Sequence, residues 1–194
     1  MDDTSFPRLV SLACHDLRTP LATISGFART LTRQGDMGEP ATRYLEIIEQ
    51  ASVQLAELLD ELSLASRIES GRYDPTPQSV DTLELARHAA ELLGSERVLV
   101  SGAGRTIEAD VPATKRAVAA LVQSALRHGG LDEVAVVVDG AVLTVNPVTH
   151  ASGPVVLGED LRDLGAAVAV RLVRRQGGEV SLDGETLRVE LQRS

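Results

Sequence analysis

The 194-residue chain is 43% hydrophobic and 24% charged, which suits a folded protein of one or two domains, but only 2% is aromatic and there is no Trp. Leu, Val and Ala must therefore do nearly all the burying, which favours helix-rich packing over an aromatic-centred β-sandwich. A formal net charge of −9 argues against nucleic acid and anionic membrane surfaces as partners, because both need clustered Lys and Arg. The single cysteine, Cys14, excludes a disulfide framework and a cysteine-based zinc site, and no metal site is expected. No stretch approaches the ~20 apolar residues of a membrane span. The acidic start, Met1-Asp2-Asp3, lacks the basic and apolar regions of a signal peptide, so a cytoplasmic location is expected.

Residues 1–72 read as two long helices. Leu9, Leu12, Leu17, Leu21, Ile24, Phe27, Ala28 and Leu31 recur mostly at three or four residues, interrupted in pattern only by Pro20. Gly35, Gly38 and Pro40 then mark a turn. Leu45, Ile48, Ala51, Leu55, Leu58, Leu59, Leu62, Ala65 and Ile68 form a second stripe of coiled-coil type. Helices of about 30 residues are roughly 45 Å long. One hairpin leaves a side of each stripe wet, so two hairpins from two chains should form a four-helix bundle, and a homodimer is expected. In the alternative the stripe covers the chain's own second half.

Gly71, Pro75 and Pro77 then interrupt the pattern, and 73–78 reads as a linker. From 79 to 194 the signals alternate. Asp81 with Glu84 is a capping box opening a helix that ends at Gly94. Arg97–Ser101 and Thr106–Val111 read as strands, and Pro112 opens a helix stopped by Gly129-Gly130. Val134–Val138 and Ala141–Val145 flank the hairpin signal Asp139-Gly140. A helix over about Glu159–Gln176 precedes a second hairpin around Asp183-Gly184. Hairpin strands with helices between them predict a two-layer α+β domain, its helices on one face of a mixed sheet.

The chemistry concentrates in His15-Asp16-Leu17-Arg18-Thr19-Pro20-Leu21. Arg18 and Thr19, three and four residues after His15, share its helix face. Pro20 has no N–H and crowds the carbonyl of Asp16, so the helix should bend beside the histidine. A neutral imidazole is nucleophilic near pH 7, and a neighbouring carboxylate can orient it and take up its proton. An isolated surface histidine on a kinked helix would need none of these neighbours.

This segment resembles the H-box of bacterial two-component sensor histidine kinases, which lies in their dimerisation and histidine-phosphotransfer hairpin; the resemblance covers residues 5–70. It implies that His15 accepts a phosphoryl group on a ring nitrogen and that Asp16 is its general base. Thr19 would position hydrolytic water in members that also dephosphorylate their partner. Arg18 would face phosphoryl oxygens or the partner's acidic pocket. The same resemblance implies that 79–194 is an ATP-binding domain of the GHKL (Bergerat-like) type, with an N-box helix over Arg116–His128 and a glycine-box helix over Leu164–Gly178. The fold expected is thus a helical hairpin forming a dimeric four-helix bundle, followed by a two-layer α+β sandwich of degenerate GHKL type.

The departures from that pattern are specific. The two N-box asparagines fall on Ala120 and Ser124, the second being the usual magnesium ligand. The adenine-reading Asp and its glycines fall on Asn146, with Val148 and His150 in place of glycines. Asp163 stands at the first glycine of the glycine box, while Gly165 is kept. A carboxylate there repels a triphosphate. Together these changes argue against ATP binding, with no cofactor held by this chain and Mg2+ supplied by the receiver partner.

Among other candidates, His88 reads as solvated, His128 as a helix C-terminal cation and His150 as a loop residue without metal partners. Cys14 reads as a small buried residue, and Arg171, Arg174 and Arg175 as a solvated face. The function expected is a histidine phosphotransferase carrying a phosphoryl group on His15 between the aspartates of response-regulator receiver domains. The alternatives are a diverged ATP-dependent histidine kinase and a non-catalytic pseudokinase that binds a response regulator.

Overall fold

The structure is a computed structural model that describes residues 5–34 and 39–191. It divides into two compact units, Met1–Ser66 and Arg67–Ser194. The division falls inside the last turns of the second helix, six residues before the boundary read from the sequence.

In the first unit, α1 (Ser5–Gln34) and α2 (Glu39–Glu69) make the hairpin. The glycines expected to form its turn, Gly35 and Gly38, lie outside the described residues, and Pro40 is already helical. Along α1, residues 13, 17, 20, 24, 27 and 31 are buried or half-buried, alternating steps of four and three. Along α2 the matching seam is 44, 48, 51, 55, 58, 62 and 65. Phe27 and Tyr44 join the two helices, their ring centroids 5.2 Å apart and tilted by 32°. A second apolar set stays exposed in the single chain: Leu21, Leu45, Val53 and Leu59.

The second unit stacks helices on one face of a five-stranded mixed sheet. Its elements are β1 (Gln78–Asp81), α3 (Thr82–Leu93), β2 (Val98–Gly104), β3 (Thr106–Ala109), α4 (Val111–Gly129), β4 (Val134–Gly140), β5 (Val142–Asn146), α5 (Gly153–Val156), α6 (Leu164–Arg175), β6 (Glu179–Asp183) and β7 (Thr186–Glu190). The sheet order is β2-β4-β5-β7-β6, with β1 and β3 pairing separately. β2 runs parallel to β4, the remaining pairs antiparallel. Val134, Val136 and Val138 alternate inward on β4, followed by Leu143 and Val145 on β5 and Leu187 and Val189 on β7. Leu85, Leu121, Leu164 and Leu172 cover them from the helices. Aliphatic residues supply this core, as the composition requires. At Gly102 the edge strand β2 takes a φ of 102°, and a Cβ there would collide with the Val138 carbonyl.

Local signals explain most boundaries. The Asp81 carboxylate accepts from Leu83 N–H and caps α3, which ends at Gly94. Asp110 caps α4 by accepting from Ala113 N–H, so Val111 belongs to the helix and not to the strand expected through it. The helix expected over Glu159–Gln176 begins only at Leu164, and the short α5 lies wholly before that range. Gly158 at φ 67° follows the short α5, and Asp163, in extended conformation, starts α6 five residues late. β1, unannounced in the sequence, forms by antiparallel pairing with β3.

Candidate functional site

His15 lies in α1, and the side chains of Cys14 and His15 lie outside the described residues. Around that position Ala13 and Pro20 are buried, Asp16 is half-buried, and Arg18 and Thr19 are exposed. Since Pro20 has no N–H, the Asp16 carbonyl receives no bond from it. Thr23 donates to the Thr19 carbonyl at 3.1 Å, and Thr30 to the Gly26 carbonyl at 3.0 Å, so both hydroxyls are committed to their own helix. Arg18, Thr19, Ala22, Gly26, Phe27 and Thr30 line an open groove along α1. Ala22 and Gly26 make it shallow-walled, with nothing within 4 Å of where a Gly26 side chain would stand. Positions 15, 19, 22, 26 and 30 recur at helical spacing, so position 15 heads the stripe. Arg18 and Thr19 are thus exposed along the helix face that position 15 heads, with the half-buried Asp16 beside it in sequence.

Of the expected nucleotide positions in the second unit, Asp163 and Asn146 make bonds within the fold. Asp163 Oδ1 accepts from Ala166 N–H at 3.0 Å and caps α6, while its Oδ2 lies 3.0 Å from His128 Nε2. His128 is therefore the partner of Asp163; the cap of α4 is Gly130, in left-handed conformation, whose N–H bonds Leu126. The Asn146 amide donates to the Glu185 carbonyl at 3.1 Å and to Thr186 Oγ1 at 3.0 Å, which commits it to the β6–β7 turn. Ser124 is fully buried, and its Oγ has no hydrogen-bond partner among the described residues. Gly165 lies half-buried in the first turn of α6. Between β5 and α6, Val148, Ser152, Val155 and Val156 are all buried.

Arg171 was expected on a solvated face. Instead its Nε donates to Glu69 Oε1 at 2.9 Å and its Nη1 to the Ala167 carbonyl at 2.9 Å, whereas Arg174 and Arg175 are exposed. A second network went unread in the sequence. The Tyr73 hydroxyl donates to Asp110 Oδ2 at 2.9 Å, Asp110 N–H donates to Gln176 Oε1 at 3.1 Å, and the Gln176 amide donates to Thr114 Oγ1 at 3.2 Å. Burial, then the Asp110 carboxylate, holds the Tyr73 phenol well above the ordinary tyrosine range. The available signal was an aromatic residue set between Gly71 and Pro75, where polar residues are usual.

Residues 8–71 match the His Kinase A (phospho-acceptor) domain family. Histidine protein kinase DivJ of Caulobacter vibrioides is 28% identical over 171 residues, 81% of this chain and 28% of its own length. Sensor histidine kinase TrcS of Mycobacterium tuberculosis is 38% identical over 89 residues, 45% of this chain and 17% of its own length. The chain thus spans less than a third of either relative. Among solved structures, Acinetobacter baumannii histidine kinase AdeS superposes with a TM-score of 0.68 at 15% identity, over 92% of this chain and 98% of that one. Full-length ShkA in complex with AMPPNP gives 0.55 at 22% identity, over 94% of this chain and 44% of that one. The second unit accordingly has the ATPase-like fold of histidine kinases. A match to the phospho-acceptor domain over residues 8–71 is thus followed by a unit with the fold seen in histidine kinase structures.

Proposed function

We propose that this chain is a histidine phosphotransferase of a two-component phosphorelay, carrying a phosphoryl group on His15 between receiver-domain aspartates without using ATP. The observation that carries the reading is the Asp163 carboxylate at the start of α6, capping the helix and paired with His128. A triphosphate would meet this carboxylate where it needs free N–H groups. The other residues fit Mg2+ and adenine no better. Ala120 offers no oxygen, Ser124 offers one buried hydroxyl in place of an amide, and Asn146 is bonded to the β6–β7 turn. Buried Val148, Val155 and Val156 fill the segment between β5 and α6.

In the transfer, the lone pair of one His15 ring nitrogen attacks phosphorus of a receiver's aspartyl phosphate. The N–P bond forms as the P–O bond breaks, and the aspartate leaves as carboxylate. Asp16 takes the proton lost from the other ring nitrogen. Arg18 faces the phosphoryl oxygens, Mg2+ belongs to the receiver, and the second receiver reverses the step. Thr19 would hold the water in any hydrolysis. Two copies pair through the bundle, which covers Leu21, Leu45, Val53 and Leu59, apolar and exposed in one chain.

A second reading, an ATP-dependent kinase, draws support from DivJ, whose name is that of a kinase and whose match reaches over 81% of this chain. Incubation with Mg2+ and γ-labelled ATP, with His15→Ala as control, separates the two. Acid-labile label on the wild-type protein alone favours the kinase. Label arriving at His15 only from a phosphorylated receiver favours the phosphotransferase. A receiver complex that forms equally with His15→Ala, with no phosphohistidine from either donor, favours a pseudokinase.

A further inference from the structure

The segment joining α2 to β1 carries the composition of a loose tether, with Gly71, Pro75 and Pro77 among polar residues. Its bonding is that of a fixed element. At its start, Arg72 N–H and Tyr73 N–H both donate to the Arg67 carbonyl at 2.9 Å, and Gly71, at φ 68°, supplies the left-handed residue that this helix ending requires. Glu69 pairs with Arg171 of α6, both largely buried. Four residues later the Tyr73 ring is 4% exposed, and its hydroxyl is bound to the carboxylate that caps α4. From Gln78 onward the backbone pairs with β3. Only 74–77 runs without one of these anchors, and two of those four residues are proline, whose ring fixes φ.

We propose that Arg67–Gln78 is a clasped strap, with the Tyr73–Asp110 hydrogen bond as its catch. Any displacement of the second unit must then be taken up within α2 rather than in the segment after it. A flexible tether would let the second unit move without disturbing the hairpin. A strap locked onto α4 and α6 makes the last turn of α2 part of the second unit, in keeping with the division between Ser66 and Arg67. The double use of Asp110 strengthens the argument. One carboxylate oxygen starts α4 and the other holds the strap, so the catch stands on the framework of the unit and not on a mobile loop.

Amide hydrogen exchange on the full chain tests this. In the wild-type protein the Arg72 and Tyr73 amides should exchange as slowly as those of α4, and the exposed Arg72 should resist trypsin. Tyr73→Phe removes a hydrogen bond to a charged acceptor. It should speed exchange of these two amides about tenfold and open the tryptic site after Arg72, with the protection of β4 and β5 unchanged. Should Tyr73→Phe unfold the unit, Asp110→Ser gives the same reading, since serine still caps α4 but is too short to reach the phenol. Exchange of Arg72 and Tyr73 in the wild type at the rate of an unstructured chain would overturn the proposal. So would a folded Tyr73→Phe or Asp110→Ser protein with wild-type exchange and wild-type resistance to trypsin.

Discussion

His128 Nε2 stands 3.0 Å from Asp163 Oδ2, joining the C-terminal turn of α4 to the N-terminus of α6 through a pair of side chains 17% and 14% exposed. The same aspartate caps α6, so one carboxylate serves two elements. Asp163→Ala should therefore lower stability by about 1–2 kcal/mol, and Asp163→Asn, which keeps the cap, by less. Urea unfolding of the three proteins side by side checks the order. Equal midpoints for wild type and Asp163→Ala would remove the carboxylate from this structural role.

Phosphoryl transfer should depend on α1 alone for its chemistry. His15→Ala is expected to abolish acid-labile label received from a phosphorylated receiver while leaving oligomeric state unchanged. Thr19→Ala should slow receiver dephosphorylation and spare transfer. The measurement is the time course of label on both proteins after gel separation.

The exposed apolar residues of the hairpin give a separate test. Leu59→Glu and Val53→Glu place charges at positions 51% and 54% exposed in the single chain, where a solvated surface would tolerate them within about 0.5 kcal/mol. If these positions lie in a bundle between two copies, light scattering should show the wild-type dimer converted to monomer. A dimer unaffected by both substitutions would locate the interface elsewhere.

Tyr73 carries a pH signature. Its phenol is held above the ordinary tyrosine value in the folded protein, while the unfolded chain titrates near pH ~10. Stability from this group is complete below that pH. It is lost as pH rises further, because the unfolded chain gives up a proton that the folded protein keeps. Tyr73→Phe should therefore cost about 1–2 kcal/mol at pH 8, and the difference from wild type should shrink above pH ~10. Urea midpoints across pH 8–11 for the two proteins provide the comparison.

Packing elsewhere should respond in the ordinary way for a dense aliphatic core. Leu121→Ala, at a residue 1% exposed on α4, is expected to cost about 2–5 kcal/mol, and chemical unfolding of the variant measures it.

The hairpin and most strands were legible because periodicity and capping act locally. Asp81, Gly94 and Gly130 set helix ends through bonds to residues within a few positions, and such bonds are written in short sequence windows. The segment His15–Leu21 stands out in the sequence for the same reason, since His15, Asp16, Arg18 and Thr19 lie within four residues on one helix. What escaped was long-range. β1 exists only because β3 pairs with it, Tyr73 is buried only because Asp110, 37 residues on, receives its hydroxyl, and Arg171 reaches back 102 residues to Glu69. The helix start was misplaced at Glu159 because charged residues there fit a helical pattern as well as a turn. Asp163, read as an obstacle to phosphate, is in the structure the cap that fixes where α6 begins.

Gly102 has a consequence for how this chain tolerates change. It is exposed on an edge strand, where most substitutions pass unnoticed, yet a methyl group there would strike the Val138 carbonyl of the neighbouring strand. Its φ of 102° adds a backbone penalty for any residue with a side chain. In a saturation-mutagenesis library selected for folding, Gly102 should stand out as an intolerant position between Ser101 and Ala103, exposed neighbours that accept many replacements.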